Sequence, residues 1–237
     1  MGVPGYPVCV LTPARVSSGC PRSEMRHPLT DHWRRAWLES ASRTLKLMTL
    51  SVHFEEALLF ATRLHAGQLR MGTSTPYIAH LLAVAGIVLD YGGTETEAIA
   101  ALLHDAVEDQ GGPPTREEIR RRFGAEVAAI VDGCSDTDQE PKPPWKARKE
   151  TYLAALGHES ASVRMVSAAD KLHNARDIVA AYRSLSEALW GRFNGGNEGT
   201  LWYYRALVGV YRATDTVPAL VDELDRVVTD LEHRAAR

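Results

Sequence analysis

Residues Ala100-Ala101-Leu102-Leu103-His104-Asp105-Ala106-Val107-Glu108-Asp109 set four metal- or proton-competent side chains at the end of an apolar helix, and this constrains the fold more than any other stretch. Ile99, Leu102, Leu103 and Ala106 recur at helical spacing. Thr94 with Glu97 three residues later is a capping-box start, and Gln110-Gly111-Gly112-Pro113-Pro114 is a stop. On one continuous helix His104 stacks over Glu108, and Asp105 over Asp109. The ordinary alternative is a solvated acidic helix end. Three acids beside the negative C-terminal pole of a helix need compensation, and a cation would supply it.

The flanking segments are helical in pattern as well. Ser51 to His65 carries Phe54, Leu58, Ala61, Leu64 and His65 on one side. A polar loop, Gly67 to Pro76, separates it from a second helix, Tyr77 to Leu89, with His80 near its start. Thr115 and Glu118 predict a capping box for a short helix, Ile119 to Phe123, which Gly124 breaks before Ala125 to Val131. A proline-rich loop, Cys134 to Pro144, leads into the basic helix start Trp145 to Lys149, where cations oppose the helix dipole and a bound anion would relieve them. Val163 to Tyr182 is a long amphipathic stretch with Asp170 and Asn174 sharing a face inside its apolar side, a costly place for a carboxylate without a cation or several donors. Ser184 and Glu187 predict a cap for a short helix to Trp190, Gly191 to Gly199 a loop, and Thr200 to Ala213 and Val217 to Ala235 two closing helices. Strand alternation, internal repeats and a Gly-rich phosphate loop are all missing from the pattern.

Residues 1–47 differ: five prolines and three glycines break any periodicity, and Met48 stands directly before the first strong helix. They read as a poorly ordered extension, translated from an upstream region, leaving 48–237 as the folded domain. A net charge of −3 leaves no global basic footprint for nucleic acid. Cys9, Cys20 and Cys134 are too few and too scattered for a disulfide framework or a cysteine zinc site, and suit a reducing, cytoplasmic setting. No apolar run approaches the roughly 20 residues needed to span a bilayer.

His80, His104, Asp105 and Asp170 together make a mixed nitrogen and oxygen donor set from three helices. Such a set, with positions left for water, suits Mn²⁺ or Fe²⁺ better than Ca²⁺ or Mg²⁺, and Zn²⁺ also fits. Glu108 and Asp109 are then placed to take a proton from water or give one to a leaving oxygen, with arginines and lysines to neutralise phosphate charge. The reaction class is metal-assisted hydrolysis of a phosphoester or pyrophosphate.

Four passages, in order, resemble the HD superfamily of metal-dependent phosphohydrolases, and more narrowly the hydrolase domain of the bifunctional RelA/SpoT alarmone enzymes and their stand-alone small relatives. They are His65-Ala66-Gly67-Gln68-Leu69-Arg70, Pro76-Tyr77-Ile78-Ala79-His80, Ala101 to Asp109, and Ala169-Asp170-Lys171-Leu172-His173-Asn174-Ala175-Arg176, covering about residues 50–180. The resemblance implies an all-α, multi-helix fold and Mn²⁺ at His80, His104, Asp105 and Asp170. It implies catalytic Glu108 and Asp109, and nucleotide contacts from Arg70 and Asn174. Lys171 and Arg176 of the last passage, and Lys149 of the basic helix start, complete the expected substrate contacts. The family reaction removes the 3′-pyrophosphate from (p)ppGpp, leaving GDP or GTP. The chain departs from the family pattern at Met71, where a lysine is usual, in the loop to Pro76, which is about one residue longer than the pattern, and at Ser167-Ala168-Ala169-Asp170, where Lys-Leu-Ala-Asp is usual. Two alternatives stand beside this reading: an HD phosphohydrolase acting on another nucleotide, such as a nucleoside triphosphate or a phosphorylated dinucleotide cofactor, and a nucleotide sensor that keeps the pocket without turnover.

Overall fold

The computed structural model describes residues 49–137 and 141–236, and among these the fold is all-α. The expectation for residues 1–47 lies outside the described residues. The helices are α1 (Val52–Leu64), α2 (Ile78–Asp90), α3 (Glu95–Leu103), α4 (Ala106–Asp109), α5 (Gly112–Cys134), α6 (Trp145–Leu156), α7 (Ala161–Leu185), a 3₁₀ turn (Ser186–Arg192), α8 (Gly196–Ala213) and α9 (Pro218–Ala235). None is long and apolar enough to cross a membrane.

Three helices pack on one another at the centre: α2, α3 and α7. Six consecutive residues of α3, Ala98 to Leu103, are buried, so this helix is enclosed on every side and not merely on one stripe. Its alanines let neighbours approach closely, while Leu102 and Leu103 fill the space at its C-terminal end. The start is the expected capping box: the Thr94 side chain accepts from Glu97 N at 3.2 Å and the Glu97 carboxylate accepts from Thr94 N at 2.6 Å. Glu95 also accepts from Ser51 N at 2.6 Å, tying the cap of α1 to the first turn of α3. α7 reaches across to α9, α5 and α8 as well, and a buried hydroxyl relay fixes it there: Tyr152 to Ser167 at 2.6 Å and Ser167 to Tyr211 at 2.7 Å.

Several local expectations are corrected. The helix through residue 109 is not continuous: α3 ends at Leu103 and α4 restarts at Ala106, with Asp105 at φ −95°, ψ −2°. The His104 ring takes the Ala101 carbonyl at 2.9 Å, the acceptor that residue 105 would use in an uninterrupted helix. The expected stop after Asp109 is present at the non-helical Gln110 and the left-handed Gly111, and Pro113 and Pro114 then sit in the first turn of α5, where their fixed φ is tolerated. Thr115 therefore lies inside α5, and its hydroxyl donates to the Gln110 carbonyl at 2.5 Å instead of capping. The break expected at Gly124 is present, as a left-handed residue at φ 92° within α5. Ser184 lies within α7, which ends only at Leu185 before Ser186 at φ 48°. The glycine-rich stretch 191–199 is not one loop, since the 3₁₀ turn takes its start and α8 begins at Gly196. Gly195 and Gly199 serve packing: a Cβ at either would stand 2.6 or 3.1 Å from the Trp145 ring.

Replacing Thr94 with alanine removes half of the capping box on the helix that ends at His104. The expected loss is about 1 kcal/mol of stability, read as a lower urea midpoint with an unchanged slope. An unchanged midpoint would show that the packing of α3 alone sets its start.

Candidate functional site

The packing of α2, α3 and α7 brings His80, His104, Asp105 and Asp170 together as expected. His80 Nε2 lies 3.2 Å from Asp170 Oδ1 and 3.6 Å from Asp105 Oδ2. His104 Nε2 lies 3.0 Å from Asp105 Oδ2 and 3.6 Å from Asp170 Oδ1. Both imidazoles and Asp170 are buried. Donor atoms of His80, His104 and Asp105 all fall within 4.8 Å of one another. The Nδ1 of His104 is committed to the Ala101 carbonyl, while its buried Nε2 has no hydrogen-bond partner despite the nearby carboxylates. With Nδ1 committed, Nε2 is the ring nitrogen His104 turns to the carboxylate oxygens, and it becomes a ligand for a divalent cation once its proton is given up.

The charges agree with that reading. Burial opposes the charged form of His104, but Asp105 and Asp170 outweigh it and hold the imidazole well above its usual range. Burial likewise opposes ionised Asp105, which His104 and His80 overcome, and ionised Asp170, which Lys171 and the two imidazoles overcome, so both carboxylates titrate well below their usual range. Asp170 accepts from Lys171 Nζ at 2.5 Å and from Asn174 Nδ2 at 2.5 Å. Tyr77 donates to Asp105 Oδ2 at 2.6 Å, and burial with the Asp105 charge pushes its phenol up, so it remains a donor.

The acidic pair stands beside this cluster on α4. Glu108 is held by Lys142 Nζ at 2.9 Å and by Asp136 N at 3.4 Å. Asp109 accepts from Gln68 Nε2 at 2.8 Å. Gln68 in turn is fixed by His65 Nδ1 and by Gln110 Nε2, each 2.6 Å from its Oε1. Asp109 keeps much of its surface exposed, yet the protein around its carboxyl group and the adjacent Asp105 and Glu108 charges raise its pKa against the pull of Gln68.

Of the expected substrate contacts, Arg70 reaches the site from a tight hairpin closed by Arg70 N to Thr75 O at 2.9 Å and Tyr77 N to Gln68 O at 2.9 Å. Its guanidinium bonds Asn174 Oδ1 at 2.8 Å and Asp177 Oδ2 at 2.7 Å. Lys149 pairs with Asp136 at 2.8 Å, a carboxylate it shares with Arg148, and lies over the Tyr203 ring. Burial and Lys171 lower the Lys149 pKa against Asp136. Arg176 is not brought here: it is exposed on the other side of α7 and pairs with Glu223 of α9 at 3.2 Å. The i, i+4 neighbours of Asp170 point inward, and residue 176 is off that stripe. Sequence reasoning missed Tyr77, Gln68, Lys142, Asp136 and His173. Gln68, Tyr77 and His173 lie inside the passages that carry the resemblance, and Tyr77 also stands three residues before His80 on the same helical face, whereas Lys142 and Asp136 carried no such signal.

Over residues 57–191 the chain matches the family described as HD domain. It is 41% identical over 126 residues to the guanosine-3′,5′-bis(diphosphate) 3′-pyrophosphohydrolase MESH1 of Xenopus tropicalis, covering 52% of this chain and 68% of that one. It is 36% identical over 123 residues to a guanosine-3′,5′-bis(diphosphate) 3′-pyrophosphohydrolase of Haemophilus influenzae, covering 51% of this chain and 18% of that protein. Among solved structures, one described as a metazoan ortholog of SpoT that hydrolyzes ppGpp superposes with a TM-score of 0.62 at 26% identity, covering 76% of this chain and 97% of that one.

A cation entering this cluster must displace the proton that His104 retains. Because that proton is held above the usual imidazole range, affinity for a divalent ion should fall as pH falls and keep rising past the ordinary imidazole pKa of about 6.5. Equilibrium dialysis with Mn²⁺ from about pH 6 to pH 9 checks this. Asp105→Asn and Asp170→Asn should lose the ion at every pH, and pH-independent binding would remove His104 from the donor set.

Proposed function

This chain belongs to the HD domain family, and from that we propose that it is a metal-dependent phosphohydrolase that removes the 3′-pyrophosphate of (p)ppGpp, leaving GDP or GTP. The observation that carries the reading is the convergence of two buried imidazoles and two carboxylates beside Glu108 and Asp109. His80, His104, Asp105 and Asp170 would hold the ion, for which we favour Mn²⁺ because of the mixed donors. When bound, such an ion supplies Lewis acidity to a water and to a phosphate oxygen.

The remaining roles belong to side chains. Glu108, an acceptor held in place by Lys142 and the Asp136 amide, takes the proton of the attacking water. Asp109, whose raised pKa lets it keep a proton to higher pH than an ordinary carboxyl, gives it to the leaving ribose oxygen. Arg70 and Asn174 bind the nucleotide from one side, and Lys149 and Lys171 neutralise phosphate charge from the other. All of these residues lie within 48–237, which we take as the active unit, working in the cytoplasm.

A second reading is favoured by one residue. Met71, 78% exposed at the tip of the Arg70 hairpin, stands where the family usually offers a lysine to phosphate. A nucleotide with a different phosphate arrangement would suit a site lacking that cation. A nucleotide panel with Mn²⁺, scored for pyrophosphate against single phosphate, separates the two enzyme readings, and binding without turnover marks the sensor.

Glu108→Gln and Asp109→Asn keep shape while removing the proton acceptor and the proton donor respectively. Each should cut turnover by roughly a hundred-fold to ten-thousand-fold while Mn²⁺ retention changes little. A Glu108→Gln protein that no longer retains the ion would make Glu108 a ligand instead.

A further inference from the structure

We propose that His173 is the positioning residue that fixes the tautomer of His80 and thereby determines how tightly the site holds its cation. The inference rests on the metal site described above. His80 presents Nε2 to Asp170 and Asp105, and its Nδ1 lies 2.8 Å from Nδ1 of His173. The rings are 4.8 Å apart and tilted by 51°, so this is an edge contact through nitrogen and not a stack. Asp177 Oδ2, also near His173 Nδ1, is 3.7 Å away and is taken up by Arg70 at 2.7 Å. At hydrogen-bonding distance the two Nδ1 atoms therefore have each other.

One hydrogen must lie between two facing ring nitrogens, and there are two ways to place it. If His173 donates, neutral His80 carries its own hydrogen on Nε2, pointing at the Asp170 oxygen. In that form His80 has no lone pair to offer a metal. If His80 donates, its Nε2 is a free lone pair aimed between the two carboxylates, and His173 Nδ1 is the acceptor. Only the second arrangement ligates a cation. A metal-bound histidine depends on such a partner for its other nitrogen, as His104 depends on the Ala101 carbonyl. The two ligating imidazoles are thus oriented differently. His104 uses a backbone oxygen that can only accept, and its tautomer is fixed by the fold. His80 uses a side chain able to donate or accept, so the identity of residue 173 decides its tautomer.

The test uses full-length protein and Mn²⁺ alone. His173→Phe keeps a ring against His80 and deletes the acceptor. Its Mn²⁺ dissociation constant should rise about ten- to a hundred-fold, with the unfolding midpoint of the metal-free protein maintained. His173→Asn puts an amide oxygen near the position of the lost nitrogen and should recover most of the affinity, which simple loss of packing would not predict. Wild-type affinity in His173→Phe, or equal losses in both variants, would overturn the inference while leaving the metal site standing. Wild-type protein that bound no divalent ion would overturn the metal site and this inference together. Should His173→Phe fail to fold, the wild-type protein still decides the matter. Loaded with diamagnetic Zn²⁺ and labelled with ¹⁵N, it should show scalar coupling across the hydrogen bond between the two Nδ1 nuclei, with the proton attached to His80. No coupling, or a proton attached to His173 Nδ1, would refute the assignment.

Discussion

Asp170 sits in the middle of a 25-residue helix with its side chain only 8% exposed, where an isolated carboxylate is strongly unfavourable. Much of the site follows from meeting that constraint. Lys171 and Asn174 contribute donors from the same helix, and His80 and His104 bring two imidazoles from neighbouring ones. Asp105 adds a second carboxylate to the same small volume, and Lys171 together with the charged His104 balances the pair. A group of charges balanced in this way is stable only while every member stays in position, which is why the hydrogen bonds behind the donors matter as much as the donors.

Those bonds come from features that look incidental in isolation. The interruption between α3 and α4 frees the Ala101 carbonyl for His104 and turns Asp105 toward Tyr77. Ser167, at a position where the resemblance leads one to expect lysine, instead joins two tyrosine hydroxyls in the core and pins α7 against α6 and α8. His65, stacked on Tyr77, holds the glutamine that holds Asp109. Asp109 is thus supported from the loop that also carries Arg70, while Glu108 is held separately by Lys142 and the Asp136 amide.

On that side the cations are already engaged. Arg70 is held by Asp177 and Asn174, Lys142 by Glu108, and Lys149 and Arg148 by Asp136. On the proposed reading a polyanionic nucleotide competes with these carboxylates for the same side chains. This favours a substrate carrying several phosphates over one carrying a single charge.

The helical periods, the capping box at Thr94, the break at Gly124 and the candidate donor residues could all be read from the chain, because each rests on local spacing or on residue chemistry. Helix ends were less legible. The helix stops at Gln110 as expected, but the prolines after it open α5 at once, and glycines 195 and 199 make room for Trp145, since both outcomes depend on what packs against the segment. Arg176 shows the same limit within one motif: it belongs to the passage that supplies Asp170 and Asn174, yet the face it occupies is turned to α9. Residue type and spacing by themselves determined which groups have the capacity to bind a metal or move a proton. Which of them meet was decided only by the mutual packing of α2, α3 and α7. The contacts that orient the donors, Tyr77 with Asp105 and His173 with His80, join residues 28 and 93 positions apart, and no periodicity along the chain encodes a distance of that kind.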